Sequence, residues 1–173
     1  MRLSLADIRR ERGAGPRYLR NEPLYDRLRL HGLDVKGEGQ LVLLESLEAL
    51  CADLIKQPSP KHICIRDASL GNAAAMRAFV NAVIAVRVLN IGLFFCGCTR
   101  ACVPELTRLV SAGAVRGIIL DNDDVELFEA GADTDQFCAA VRASASLLCL
   151  TLEHCGPNPD AAAVAAFITA RRQ

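Results

Sequence analysis

The sequence predicts an α/β fold, a short solenoid of about five strand–helix repeats with a parallel sheet on the concave face and helices on the convex face. Two observations predict it. Short apolar runs alternate with longer amphipathic stretches, the pattern of parallel strands joined by helical crossovers. A spaced apolar motif also recurs every 27 to 35 residues or so, whereas an open doubly wound sheet, the other architecture with this alternation, needs no fixed period.

Residues 1–23 read as a basic arm. Gly13, Gly15, Pro16 and Pro23 punctuate it, and Arg2, Arg9, Arg10, Arg12, Arg17 and Arg20 crowd it. Within it LSLADIRRER has the makings of a short helix, with Ser4 or Asp7 near its start. Residues 24–173 form the repeat domain. Helices are expected over 41–56, 72–86, 103–112, 133–145 and 160–172, and strands near 28–30, 63–65, 90–93, 118–120 and 149–152.

The motif is clearest around the cysteines. Leu147, Leu150, Leu152 and Cys155 have the spacing L-x-x-L-x-L-x-x-C, and Val88, Ile91, Leu93 and Cys96 repeat it. Tyr25, Leu28, Leu30 and Leu33 give a third unit. Two weaker ones run Ile63, Ile65, Ala68, Leu70 and Val115, Ile118, Leu120, Asp123, Val125. The marker positions are thus 33, 68, 96, 123 and 155. Beyond Cys96 the apolar spacing continues through Cys98, Cys102, Leu106 and Val110, and beyond Leu33 through Val35, Gly39, Leu43 and Leu47.

This pattern resembles the leucine-rich repeat in its long, ribonuclease-inhibitor-like form, which sets a strand and a full helix in each repeat and Asn or Cys at the marker position. Ala68 and Asp123 depart from that preference. The resemblance implies an extended binding surface and no deep pocket. Some relatives with this repeat activate GTPases, but no residue here matches an equivalent catalytic position, so that activity is not carried over.

The resemblance also gives CGCTRAC (residues 96–102) a place. Cys96 takes the marker position, and Cys98 and Cys102 take inward-facing positions, so all three are expected in the core, reduced and without metal. C-x-C-x3-C is not the usual C-x2-C knuckle, and His154-Cys155 lies two strand spacings away, roughly 10 Å. No apolar h-region follows Met1, and most of the eight cysteines sit in apolar surroundings. An intracellular, reducing compartment is expected, without separating cytoplasm, cytoskeleton and mitochondrion.

Composition excludes little else. The formal net charge is zero and Trp is absent, which argues against a global field for nucleic acid and against stacking platforms. The longest apolar stretch, 78–99, is broken by Asn81, Arg87 and Asn90, so no membrane span is expected. The acidic run from Asp121 to Asp124, with Glu126 and Glu129, lacks EF-hand spacing and reads as a solvated loop. No phosphate-binding glycine motif or nucleophile elbow occurs, and His31, His62 and His154 belong to no recognisable catalytic set. No cofactor and no enzymatic activity are expected.

Alternation along the strands selects the residues facing away from the helices. They are Arg27, Arg29 and His31; His62, Cys64 and Arg66; Asn90, Gly92 and Phe94; Gly117, Ile119 and Asp121; and Cys149, Thr151 and Glu153. Arg27, Arg29, His31, His62, Arg66, Phe94, Ile119, Asp121, Thr151 and Glu153 are the candidate partner-binding residues. Residues 1–36 carry nine Arg/Lys against five Asp/Glu. The expected function is therefore a protein–protein interaction module, an adaptor or structural subunit of a larger assembly. Its expected partner is an acidic protein surface near the N-terminal half, with an RNA backbone as runner-up. Two alternatives remain open. One is an α/β enzyme or small-ligand protein with its site around Asp67, Cys96, Asp121 and Glu153; the other is a cysteine-based metal or redox protein.

Overall fold

The runs HICIR, NIGLF, GIILD and CLTLE are short and rich in apolar and β-branched residues, which suits strands packed on both faces. The computed structural model describes residues 17–20, 40–43, 46–56, 62–66, 68–122 and 126–156. Its strands are β1 (Arg17–Arg20), β2 (Gln40–Leu43), β3 (His62–Arg66), β4 (Asn90–Phe94), β5 (Gly117–Asp121) and β6 (Cys149–Glu153). Its helices are α1 (Leu47–Lys56), α2 (Ala73–Val86), α3 (Val103–Ser111) and α4 (Ala132–Ala143). All six strands join one sheet in the order β2-β1-β3-β4-β5-β6.

From β3 to β6 the strands are parallel, in sequence order and without slip. His62, Asn90, Gly117 and Cys149 lie side by side at one end, and Arg66, Phe94, Asp121 and Glu153 at the other. The expected strands near 63–65, 90–93, 118–120 and 149–152 thus form. The one expected near 28–30 and the helix expected over 160–172 lie outside the described residues, as do marker positions 33 and 123. The described parallel array therefore has four strands.

Two strands depart from the sequence reading. β1 falls inside the segment read as an arm and pairs antiparallel with both β2 and β3. The helix expected over 41–56 begins only at Leu47, because Ser46 caps it: its Oγ accepts from the Ala49 N–H at 3.1 Å. Ahead of the cap, Gln40–Leu43 is extended and pairs with β1. Periodicity alone cannot separate strand from helix in so short an apolar run.

The other helices form where expected because their ends are marked. Asn72 caps α2 through a 2.9 Å bond from the Ala75 N–H, and Pro104 stands in the first turn of α3. The buried residues of α3, including Leu106, Leu109 and Val110, keep helical spacing. They meet Ile63, Ile65, Ile91, Leu93, Ile118, Leu120 and Leu150 in one core with the apolar faces of α1, α2 and α4. Every strand residue in that core comes from the same face of the sheet, so the four described helices share one side. Fully burying each such side chain contributes about 1.5–3 kcal/mol.

One turn occurs twice after the strands. Phe95 (φ 52°) and Gly97 (φ 61°) flank Cys96; His154 (φ 54°) and Gly156 (φ 109°) flank Cys155. The Cys96 thiol points to the carbonyls of Phe94 (3.4 Å) and Ile65 (3.7 Å), and the Cys155 thiol to those of Glu153 (3.1 Å) and Leu120 (3.7 Å). In each case the first carbonyl lies two residues back and the second on the neighbouring strand. The strand starts match as well: the N–H of Arg116 donates to Leu89 and that of Leu148 to Arg116, at 2.6 and 2.7 Å.

Candidate functional site

Strand alternation and register assemble the residues facing away from the helices into rows. Arg66, Phe94, Asp121 and Glu153 form one row, Cys64, Gly92, Ile119 and Thr151 the next, and Asn90, Gly117 and Cys149 the third, with the His62 backbone in register beside Asn90. The face thus passes from cation through apolar to carboxylate along one line of strand ends. Arg27, Arg29, His31 and Asp67 lie outside the described residues. Cys64, Arg66, Phe94, Ile119 and Asp121 are buried, whereas Thr151 and Glu153 are half-buried. The accessible part of the described face is therefore its β6 margin, together with half-buried Asn90 at the start of β4.

The repeated turn gives this row a second layer. A left-handed residue follows each of two strands and reaches back across the sheet to the neighbouring strand's last residue. Phe95 lies against Arg66, the guanidinium 5.5 Å from the ring centroid. His154 does the same to Asp121, its Nδ1 2.9 Å from Oδ1. The Asp121 side chain is 1% exposed and that of His154 64%, so the pair runs from the interior to solvent. Glu153, beside Asp121 on β6, completes a group of three whose donor atoms all lie within 4.8 Å of one another.

Asp121 and Asn122 are thus not part of a solvated acidic loop, as the sequence suggested; both are buried. Asn122 is the residue that sequence reasoning missed. Its Oδ1 accepts from the Cys98 N–H at 3.0 Å and its Nδ2 donates to the Cys98 carbonyl at 2.7 Å. The motif register had given this role to position 123, one residue further on. An Asn beside a marker position was the available signal.

Cys96, Cys98 and Cys102 are all buried in the core, and all eight cysteines are in the reduced thiol form. Cys102 donates to the Leu70 carbonyl at 3.1 Å. The Cys98 thiol is pushed far up by its hydrogen bond with Cys102 and by burial. Burial, reinforced by Cys96, raises Cys64 well above its ordinary value, although the Arg66 charge pulls the other way. Burial likewise pushes Cys155 up to about 12. These thiols are inert by the same physics that makes exposed, cation-paired cysteines reactive.

At the opposite ends of the strands a cleft of about 840 Å³ carries Arg87 and Arg116 beside Leu89 and Leu148. No described helix is long and apolar enough to cross a membrane. Comparison with protein-family models, curated proteins and solved structures finds no match.

Proposed function

We propose that this chain is a non-enzymatic protein–protein interaction module of the leucine-rich-repeat type, an adaptor or structural subunit of a larger assembly. The observation that carries the reading is the recurrence of one strand–turn unit, with Cys96 and Cys155 in the same turn and donating to equivalent carbonyls. Helices gathered on one side of a sequentially ordered parallel sheet support it too, although the middle of the opposite face is buried rather than open. The enzyme alternative is less well supported. Cys96 faces the core, and the described parallel strands contain no switch point at which a ligand crevice would open.

The partner in this reading is an acidic protein surface met by the N-terminal arginines, Arg27 and Arg29 foremost. Arg66 is buried and contributes to the fold instead. Co-purification with mass spectrometry tests the proposal, comparing wild type with Arg27→Glu/Arg29→Glu and with nuclease-treated samples. A protein retained by wild type and lost by the folded double variant supports it. If wild type retains no protein, the reading fails; loss on nuclease treatment points to RNA. Retention by the double variant at raised salt moves the contact to the helical side.

A further inference from the structure

We propose that Asp121, Glu153 and His154 form a binding site for one first-row divalent metal ion, zinc foremost. This goes beyond the interaction reading and does not depend on it.

The geometry comes from the strand register and the turn. Asp121 ends β5 and Glu153, its in-register neighbour, ends β6. His154 follows at once, and its left-handed backbone turns the ring back over Asp121. The Asn122 N–H donates to the Glu153 carbonyl at 3.1 Å, extending the pairing past the strands. The backbone is therefore already placed, and only side chains need to adjust. Each residue offers one donor atom, and the three lie within 4.8 Å of one another. Metal–donor bonds of about 2.0–2.2 Å at tetrahedral angles put two donors of one ion about 3.3–3.6 Å apart. Rotation of exposed His154 and half-buried Glu153 about their side-chain bonds closes that difference while buried Asp121 stays fixed.

Chemistry favours a cation here. Two carboxylates brought together at the edge of the interior repel each other more strongly than they would in water. An imidazolium carries one positive charge, a divalent ion two. The imidazole nitrogen selects a transition ion over magnesium or calcium, which take oxygen donors. Three protein ligands, with the imidazole on the solvent side, leave a position open to water and a path of entry. The equivalent place at the β3–β4 step holds Phe95 over Arg66 and cannot ligate, so of these two matching turns only the one at the β5–β6 step has the capacity.

The test is titration of the full chain with Zn²⁺ by calorimetry and with Co²⁺ by visible absorption. It compares wild type with His154→Phe and Glu153→Gln. Phe already occupies the same backbone conformation at position 95, so His154→Phe should keep the turn; thermal melting verifies folding. The expected result is one ion per chain, visible cobalt bands without intense thiolate charge-transfer absorption, and affinity weakened at least about tenfold in each folded variant. No binding of either ion to wild type overturns the proposal. So do cobalt–thiolate bands, or equal affinity in wild type and both folded variants. If one variant does not fold, the other decides.

Discussion

The carboxamide of Asn122 grips the Cys98 backbone at both ends, accepting from its N–H at 3.0 Å and donating to its carbonyl at 2.7 Å. Both residues are buried, so neither backbone group has water as a ready substitute. Asn122→Ala should lower stability by about 2–4 kcal/mol, the loss of two hydrogen bonds with two polar groups stranded. A fall in the urea midpoint with unchanged slope is the expected result. A change under about 0.5 kcal/mol would mean that water satisfies the loop.

The buried thiols set an alkaline limit. Cys155 rises from an ordinary value of 9.0 to about 12, and Cys64 and Cys98 are raised as well. A raised folded pKa means the unfolded chain loses its proton first as pH climbs. The stabilisation is therefore complete below pH 9 and is lost between pH 9 and about 12. Melting temperatures across that window should fall, and Cys155→Ala should flatten the fall.

Exposure orders the reactivity of the same thiols at neutral pH. Cys51 and Cys149 are the two partly exposed ones, and burial and the Glu48 charge raise Cys51. Iodoacetamide followed by peptide mass spectrometry should find Cys149 modified first. Cys96, Cys98 and Cys102 should be modified only as the protein unfolds. Cys98→Ser should cost about 1–3 kcal/mol, because it places a hydroxyl where the thiol fits an apolar site.

Glu105 contributes on the acid side. Burial alone would push its carboxyl up, but hydrogen bonds from Arg77 and Arg108, both 2.7 Å, together with their charges hold it below its ordinary value. A depressed folded pKa stabilises above the unfolded value, and the contribution disappears as pH falls through the folded one. The contacts tie α2 to α3, and Arg108 also reaches Asn81 at 2.9 Å. Glu105→Gln should cost about 1–2 kcal/mol at neutral pH, limited by the exposure of both arginines, and much less near pH 2.

Gly71 and Gly97 should respond to alanine for different reasons. Gly97 has φ 61° and open space around it, so Gly97→Ala pays only the left-handed backbone cost of about 1–2 kcal/mol. At Gly71 a Cβ would run into the Gly97 carbonyl, so Gly71→Ala must move one loop off the other and should cost about 1–3 kcal/mol. Pairing the two substitutions should give a non-additive result, since they meet at one contact.

The period in Val88, Ile91, Leu93 and Cys96 made the parallel strands legible, because each of those residues faces the shared core. Asn72 and Pro104 are local signals that fix the starts of α2 and α3. What could not be read depends on partners distant in sequence. RYLR is a strand because β2 and β3 offer edges on either side of it. His154 looked like a lone histidine because its contact with Asp121 needs both the β5–β6 register and a left-handed φ. The row from Arg66 to Glu153 was legible as a list of positions, but the burial of its centre was not.

The antiparallel pairing of β1 with β3 gives the array a direction. A shift by one unit carries β3 onto β4 and β4 onto β5, but on the other side of β3 the neighbour runs the opposite way. New parallel units cannot be added there without displacing β1. The interior has no such stop. Leu89 and Arg116 make the same start for the next strand, so a second copy of residues 90–116 spliced after Arg116 would meet matching strand starts, although Asn122 could hold only one of the two copies of Cys98. Duplication of that segment would lengthen the parallel array while leaving the antiparallel β1–β3 pairing in place.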